Sequence, residues 1–314
     1  MAMYLVTGGA GFIGSHIVEE LLRNGETVRV LDNFSTGTHN NISEYINQIE
    51  LVEGDICDIN TVRYAMQGVD YVLHQAALPS VPRSITDPFT SHEVNATGTL
   101  NVLIAARDVS VKRVVCASSS SIYGNSPTLP KVEDMPSNPL SPYAVSKLSA
   151  EGYCRVFFQV FGTPTVALRY FNVFGPRQDP TSQYSAVIPR FIIAMLRDEA
   201  PIIYGDGLQS RDFTYVTNVV RANLLACKKE SAAGQVFNIA LGRRISLMEL
   251  MATLNIVLGS DIKPQFQAPR KGDVVHSQAD VSKMQQVIGL DKIVELEEGL
   301  QLTVEWYADH ICRL

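Results

Sequence analysis

Two side chains that could move a proton together, Tyr143 and Lys147, lie four positions apart in the run YAVSK. Residues at positions i and i+4 share one face of a helix, so this spacing predicts neighbouring side chains. A lysine ammonium favours the phenolate form of a nearby tyrosine and so lowers its pKa. The pair therefore predicts an acid–base group that exchanges a proton with a substrate hydroxyl near neutral pH.

A run of four serines, Ser118 to Ser121, follows the apolar segment Arg113–Ala117. Such a short apolar segment predicts a buried strand, so the serines fall at its carboxyl end. Ligands of open α/β sheets bind at the carboxyl ends of the strands. One of these serines could therefore hydrogen-bond the substrate hydroxyl on which Tyr143 acts.

Three glycines, Gly8, Gly11 and Gly14, lie between a predicted strand, Met3–Thr7, and a predicted helix, Phe12–Arg23. In a loop of this spacing the first glycine permits a tight turn and the second lets the backbone approach a pyrophosphate. The third lets helix and strand pack closely. The helix start offers N–H groups and its positive dipole end to the phosphates. The segment therefore predicts a dinucleotide site.

Asp32 follows the second predicted strand, Thr27–Leu31. A carboxylate at this place accepts hydrogen bonds from a ribose diol and would repel a 2′-phosphate, so the sequence predicts NAD as the cofactor rather than NADP. Asp55 and Ile56, which follow another short apolar segment, are predicted to lie beside the adenine.

The elements that must position these residues alternate between strand-like and helical patterns. This alternation predicts an α/β fold, a doubly wound Rossmann parallel sheet with helices on both faces. Beyond Arg169 the chain is punctuated by glycine and proline, which predicts a smaller α/β substrate-binding domain. We expect residues 1–171 and 212–240 to form the NAD-binding domain, and residues 172–211 and 241–314 the substrate-binding domain. The other main predicted elements are helices at 59–66, 94–107 and 143–161 and strands at 51–53, 70–74, 165–168 and 236–240.

The composition excludes several classes of function. The net charge of −6 over 314 residues leaves no basic excess for nucleic acid or an anionic membrane. The 5 cysteines are dispersed and form no CxxC motif, so neither a disulfide framework nor a zinc site is predicted, and a reducing cytoplasm is expected. Met1-Ala2-Met3 leads straight into a strand without signal-peptide features, and no apolar run is long enough to predict a membrane span.

Motifs in order along nearly the whole chain resemble those of the extended short-chain dehydrogenase/reductase superfamily and, within it, the UDP-hexose 4-epimerases. They are TGGAGFIG from Thr7, DNFSTG from Asp32, GDI from Gly54, HQAA from His74, SSSSIYG from Ser118, SPYAVSK from Ser141, LRYFNVFGPRQ from Leu168, SRDFTYV from Ser210 and PRKGD from Pro269.

The resemblance implies roles for individual residues. The catalytic residues that it implies are Ser119, Tyr143 and Lys147. The cofactor-binding residues that it implies are Gly8, Gly11, Phe12, Ile13, Gly14, Asp32, Asn33, Asp55, Ile56, Gln75, Ala76, Ala77, Asn95, Tyr143 and Lys147. The substrate-binding residues that it implies are Asn172, Val187, Tyr204, Arg211, Arg270, Asp273 and Ser277. Arginine suits a diphosphate because its guanidinium binds two oxygens at once, although Arg211 could instead pair with the adjacent Asp212.

The resemblance also implies a mechanism. Tyr143 takes the proton of the sugar 4-hydroxyl, Ser119 holds the oxygen, and Lys147 holds the nicotinamide ribose and the phenolate. NAD oxidises C4 transiently, and the 4-keto sugar turns about its diphosphate and is reduced again on the other face. Such an enzyme is an isomerase that needs no external reductant.

Rival activities are separated in part by the serine run. Related 4,6-dehydratases carry Asp-Glu where this chain has Ser120 and Ser121, and related decarboxylases usually carry Glu at the place of Ser121. Both activities are therefore disfavoured. A UDP-glucuronate 4-epimerase stays open as an alternative, as does a dehydrogenase that releases NADH. A non-catalytic NAD-sensing regulator is a third class, against which the retention of Ser119, Tyr143 and Lys147 argues.

The sugar and the assembly are further expectations from the resemblance. A small residue at the place of Ser277 favours acceptance of N-acetylated UDP-sugars besides UDP-glucose and UDP-galactose, and the segment Gln183–Pro189 resembles members that prefer N-acetylated sugars. The alternative for Ser277 is that it only forms part of a loop. A homodimer through the predicted helices at 94–107 and 143–161 is also implied.

Overall fold

The computed structural model describes residues 1–180, 186–269 and 275–310. Short apolar runs of β-branched residues, bounded by glycine and polar turns, form most of the strands. In chain order the strands are β1 (Met3–Thr7), β2 (Thr27–Asp32), β3 (Glu50–Glu53), β4 (Tyr71–His74), β5 (Arg113–Ser119), β6 (Thr165–Tyr170), β7 (Val173–Phe174), β8 (Ile202–Tyr204), β9 (Ser210–Arg211), β10 (Thr214–Tyr215), β11 (Val236–Ile239), β12 (Ile245–Ser246) and β13 (Gln265–Gln267).

A seven-stranded parallel sheet forms the centre, in the order β11-β6-β5-β4-β1-β2-β3. The strand order reverses between β1 and β4, and the crevice at such a switch point is where ligands of doubly wound folds bind. The predicted Rossmann sheet is thus confirmed. The loops that carry the glycines and the segment after His74 leave the sheet at this point.

Helices cover both faces of the sheet. The helices are α1 (Phe12–Arg23), α2 (Ile59–Ala65), α3 (Val81–Thr86), α4 (Pro88–His92), α5 (Thr99–Asp108), α6 (Pro142–Phe161), α7 (Val187–Leu196), α8 (Val216–Lys228), α9 (Leu247–Leu258) and α10 (Leu296–His310). Alternate residues of β1 face the two cores, because Tyr4 and Val6 belong to the core beneath α1 and α8 while Leu5 belongs to the core beneath α2, α5 and α6.

Two elements differ from the predicted bounds in ways that affect the site. The helix predicted at 94–107 is confirmed, but its first part, Glu93–Gly98, is a π-helical turn that continues into α5. Strand β5 runs two residues further than predicted, because its ladder with β6 pairs Ser118 with Arg169 and Ser119 with Tyr170. The first two serines therefore belong to the sheet itself.

Beyond β6 the described elements are shorter. Two-residue and three-residue strands form the small sheets β7–β10, β9–β12 and β8–β13 outside the central one. Strand β11 returns to the central sheet, as predicted, and pairs with β6. The division into two domains stays a prediction. No helix in the described ranges is long and apolar enough to cross a membrane.

Candidate active site

The loop between β1 and α1 is built on close backbone contacts. Gly8 has a φ of +69°, and a Cβ there would lie 2.6 Å from the backbone nitrogen of Ala76. A Cβ on Gly14 would lie 2.0 Å from the carbonyl oxygen of Gly8. Gly11 is the N-cap of α1 and offers no side-chain cap, so the first N–H groups of the helix, at Phe12 and Ile13, face the loop that a phosphate would occupy.

Asp32 fixes the far side of this loop. Its Oδ2 accepts a hydrogen bond of 2.9 Å from Ala10 N, and its Oδ1 accepts one of 2.9 Å from Phe34 N. Burial raises the pKa of Asp32, while these backbone N–H groups act in the opposite direction. Asn33 donates to Asp55 Oδ2 at 2.8 Å, so β2 and β3 present their polar ends side by side. Each carboxylate keeps lone pairs for a ribose or an adenine.

The segment after β4 closes the other side of the crevice. Gln75 N donates to Thr7 O at 3.0 Å, and Ala76 and Ala77 follow it. Asn95 in the π-helical turn is buried and makes two hydrogen bonds to Leu78, the residue after Ala77: it accepts from Leu78 N at 2.8 Å and donates to Leu78 O at 3.2 Å. The predicted cofactor residues that follow β4 therefore lie next to the one in this turn. On the next helical turn a Cβ on Gly98 would contact Ile56, which places Ile56 against the same turn.

A buried histidine links the glycine loop to the π-helical turn. His74 Nδ1 lies 2.7 Å from Thr7 Oγ1, and His74 Nε2 lies 2.9 Å from Thr99 Oγ1. Because Thr99 Oγ1 donates its own hydrogen to Asn95 O, it accepts from His74, which assigns the ring proton to Nε2. Burial and, to a lesser extent, the charge of Lys147 together lower the pKa of His74 to about 3, so the ring is neutral.

The stability of the protein is expected to fall as the pH drops from 6.5 towards 3. The folded-state pKa of His74 lies below its ordinary value of 6.5, so its contribution is complete above pH 6.5 and is lost as the pH falls through about 3. It amounts to on the order of 4 kcal/mol at neutral pH. Urea unfolding of His74→Gln should show a flatter pH dependence. His92→Gln, at an exposed histidine, should keep the original slope, and equal slopes for all three proteins would contradict the assignment.

Ser119 and Tyr143 meet at the carboxyl end of β5. Ser141 caps α6 through a hydrogen bond of 3.1 Å from Ala144 N, and Pro142 begins the helix, so Tyr143 is fixed in its first turn. The Ser119 hydroxyl lies close enough to the Tyr143 phenol to act on its pKa as a hydrogen-bonding neighbour. The structure thus brings these two predicted catalytic residues together.

The pKa of Tyr143 differs from the expectation. Burial raises it, and the hydrogen bond with Ser119 acts in the opposite direction. The prediction that Lys147 lowers this pKa is wrong for the structure, because burial outweighs any such effect. The same burial lowers the pKa of Lys147 to about 8, and its Nζ donates to Ala117 O at 2.9 Å.

Three predicted substrate residues lie close together around β9. Asn172 donates to Asp212 O at 3.0 Å, and Ser277 N donates to Ser210 O at 3.0 Å, so both flank Arg211 on β9. The Arg211 guanidinium donates to the carbonyls of Ser210 and Val275. The geometry gathers Asn172, Arg211 and Ser277 from segments far apart in the chain.

Asp212 has a different role from the ion pair considered for it. Its carboxylate accepts hydrogen bonds from the backbone N–H groups of Leu241, Gly242 and Ala279 at 3.0 to 3.1 Å. Burial raises its pKa to about 7, and these N–H groups oppose the shift. Asp212 therefore fixes the segment that carries Ser277 against the end of β11.

The remaining predicted substrate residues are less constrained by described contacts. Val187 begins α7 and packs on the larger core, and Tyr204 ends β8, where its carbonyl accepts from Gln209 Nε2 at 2.6 Å. Arg270 and Asp273 lie outside the described residues, as do Gln183 to Ser185. The roles of all the predicted site residues stay predictions at this point.

Sequence reasoning missed buried polar residues beneath the site. They are His74, Tyr170, whose hydroxyl binds Gln75 and Asn223 at 3.1 Å, and the ion pair between Glu151 and Arg169. The sequence could have indicated His74, Arg169 and Tyr170, because each is a polar residue within an otherwise apolar predicted strand. It could not have indicated that Glu151 is buried, because a glutamate in a helix is usually exposed.

The residues present fit NAD. The three glycines let the backbone of the loop fold closely on itself and on Ala76, the start of α1 has no side-chain cap, and Asp32 closes the end at which a ribose would bind. The Ser121 hydroxyl is buried and has no hydrogen-bond partner within the described ranges, which suits a ligand hydroxyl beside Ser119.

Comparison with known proteins agrees with this geometry. A model of the NAD dependent epimerase/dehydratase family matches residues 4–240. A putative UDP-glucose 4-epimerase of Methanocaldococcus jannaschii is 39% identical over 306 residues, covering 97% of this chain and 98% of the relative.

Solved structures match along the whole chain. A UDP-N-acetylglucosamine 4-epimerase from Methanobrevibacter ruminantium, in complex with UDP-N-acetylmuramic acid, is 40% identical with a TM-score of 0.94, covering 100% of this chain and 99% of that one. The Thermus thermophilus UDP-glucose 4-epimerase in complex with NAD is 37% identical with a TM-score of 0.88, covering 97% of this chain and 98% of that one. The chain therefore belongs to the NAD dependent epimerase/dehydratase family, and NAD is its cofactor.

Proposed function

We propose that this protein is a UDP-sugar 4-epimerase, an isomerase that inverts the configuration at C4 of a nucleotide-linked hexose. The observation that carries the proposal is the closeness of the half-buried Ser119 and Tyr143 side chains, with Lys147 one helical turn away, at the carboxyl end of β5. The names of the similar proteins support the same activity.

In the proposed mechanism the chain supplies position and proton transfer. Tyr143 acts as the phenolate: its Oη takes the proton of the sugar 4-hydroxyl and returns it after the sugar has turned, while Ser119 Oγ holds the oxygen. Lys147, anchored at Ala117 O, binds the nicotinamide ribose and keeps a positive charge near the phenol. NAD, when bound, supplies the hydride acceptor and donor, so that no net oxidation occurs.

For the substrate we propose a UDP-hexose, held by Arg211 and Arg270 at its diphosphate and by Asn172, Val187, Tyr204, Asp273 and Ser277 around the sugar and the uridine. A guanidinium matches two phosphate oxygens, which a lysine ammonium does less well. The backbone N–H of Ser277 bonds Ser210 O, next to Arg211, and a side chain as small as serine would leave room for an N-acetyl group, so we include UDP-N-acetylglucosamine and UDP-N-acetylgalactosamine.

A turnover panel tests the function. Purified protein is incubated with UDP-glucose, UDP-N-acetylglucosamine or UDP-glucuronate, without added cofactor, and the products are separated by chromatography. We expect interconversion of the 4-epimers without NADH accumulation. Steady accumulation of NADH would contradict the epimerase, and turnover of UDP-glucuronate alone would assign the alternative substrate.

Enlarging residue 277 should change the sugar preference. In Ser277→Tyr we expect kcat/KM for UDP-N-acetylglucosamine to fall at least about tenfold relative to that for UDP-glucose, because the ring would occupy the space for the acetamido group. Ser282→Tyr, five residues along the chain, is the control. An unchanged ratio in Ser277→Tyr would refute the placement of Ser277 beside the sugar.

We also propose that the partner is a second copy of this chain, docked on α5 and α6. Val145, Tyr153, Val156 and Val160 lie on the face of α6 opposite its core contacts and are 37 to 67% exposed, an unusually apolar surface. Sedimentation velocity should give a dimer for the protein and a monomer for Val156→Glu, whereas Ile256→Glu on α9 should stay dimeric.

A further inference from the structure

Beneath the catalytic residues lies a buried ion pair that the mechanism does not use. Arg169 on β6 donates to Glu151 on α6 through Nε at 2.9 Å and through Nη2 at 2.6 Å. The two side chains are 5% and 9% exposed. Such a bidentate ion pair fixes both the distance and the orientation of the carboxylate.

The guanidinium has no freedom to leave this position. Its Nη1 donates to Tyr123 Oη at 2.7 Å and to Glu133 O at 2.9 Å, while Tyr123 Oη donates to Asn238 at 2.6 Å. Burial acts to lower the pKa of Arg169, but the hydrogen bonds and charge of Glu151 outweigh burial and raise it. Arg169 is therefore permanently charged and directed at Glu151.

Glu151 lies one helical turn after Lys147, the spacing at which a glutamate and a lysine normally pair. The two side chains reach consecutive residues of β5, because Lys147 Nζ donates to Ala117 O while Glu151 Oε2 accepts from Ser118 Oγ at 2.8 Å. The charges of Lys147 and Glu151 both act on the Cys154 thiol. Within the described residues, no salt bridge joins Lys147 to Glu151.

We propose that Arg169 is a positioning residue that holds Glu151 away from Lys147 and so leaves the Lys147 ammonium free for the ligand. The proposal concerns the site of the proposed epimerase and rests on that function for its effect on turnover. Because the competing carboxylate is built into the same helix face, a missing Arg169 would redirect Lys147 to it.

The titration of Lys147 reports this competition directly. The titratable or charged groups near Lys147 come from four elements. Charge acts between Lys147 and His74 on β4, Cys116 on β5 and Cys154 on α6. Tyr143 and Glu151 lie one helical turn to either side of Lys147 on α6, and Arg169 on β6 pairs with Glu151. No variant replaces His74, Cys116 or Cys154, so a change at Lys147 that appears without Arg169 and disappears when Glu151 is also removed can be ascribed to the ion pair.

The test compares Arg169→Met with the double variant Arg169→Met/Glu151→Gln. Lysine NMR titration of the full chain without sugar, with the Lys147 signal identified by its absence in Lys147→Arg, gives the Lys147 pKa. In Arg169→Met we expect that pKa to rise by about one pH unit or more, since an opposite charge becomes available within about 4–6 Å. We expect NAD affinity and kcat to fall about tenfold or more.

In the double variant the competing carboxylate is gone. The Lys147 pKa should therefore return to within a few tenths of a pH unit of its value in the unsubstituted protein, and the NAD affinity and kcat to within about threefold. Arg169→Lys, which keeps the charge, should resemble the unsubstituted protein more than Arg169→Met does. An unchanged Lys147 pKa in Arg169→Met would overturn the proposal, and so would a double variant that stays impaired.

The double variant carries the test alone if Arg169→Met does not fold, because a buried ion pair exchanged for neutral residues is usually tolerated. The NMR titration needs no turnover. A Lys147 response without any epimerase activity would therefore support the positioning role and refute the proposed function, whereas the reverse result would refute only the positioning role.

Discussion

In the Tyr143→Phe variant we expect kcat for UDP-sugar epimerisation to fall about a thousandfold, with NAD still bound. The phenol is the group that exchanges the proton with the sugar, and positioned acid–base groups contribute about a hundredfold to ten-thousandfold to a rate. The half-buried ring stays in the first turn of α6, and only the interaction of its hydroxyl with Ser119 is lost. The measurements are single-turnover kinetics and the NAD content of the purified variant.

The control for this variant is Tyr64→Phe, which removes a hydroxyl from an exposed helix position. Tyr64 is 58% exposed on α2, outside the predicted site and the proposed dimer surface. We expect its kcat to stay within about twofold, as for a surface change far from the chemistry. A fully active Tyr143→Phe protein would remove Tyr143 from the mechanism, and loss of NAD from that variant would indicate a structural rather than a chemical defect.

The second large effect is expected at Gly14, where even one methyl group has no space. A Cβ would lie 2.0 Å from the carbonyl oxygen of Gly8 and 2.8 Å from the Cα of Gly9, so the backbone of the phosphate loop itself would have to move. We expect Gly14→Ala to weaken NAD binding at least about a hundredfold and to lower the free energy of unfolding by on the order of 3 kcal/mol. Calorimetric titration with NAD and urea unfolding measure the two quantities.

Gly152→Ala is the matched control for this substitution. Gly152 also lies in a helix, α6, and a Cβ there would meet nothing within 4 Å. Alanine should stabilise the helix by up to about 1 kcal/mol and leave NAD affinity unchanged. If Gly14→Ala bound NAD as tightly as Gly152→Ala does, the close approach at Gly14 would not be needed for the cofactor.

The sequence alone determined the parts of the site that depend on local geometry. The spacing of Gly8, Gly11 and Gly14 between an apolar run and a helical pattern fixed the strand–loop–helix, because turn sterics and helix period act over a few residues. The same holds for Tyr143 and Lys147, whose shared helix face follows from their separation. Asp32 could be placed for the same reason, since it lies at the end of one short strand.

The tertiary structure alone decided which distant residues meet and what charge they carry. Asn172, Arg211 and Ser277 come together through backbone hydrogen bonds between segments that no sequence period connects. Burial sets the pKa of Tyr143 above its usual value and that of Lys147 at about 8, the former against the expectation from spacing. Desolvation depends on every group packed around a side chain, so the sequence could locate the tyrosine–lysine pair but could not give its pKa values. The pairing of Glu151 with Arg169 joins two elements and was hidden from the sequence for the same reason.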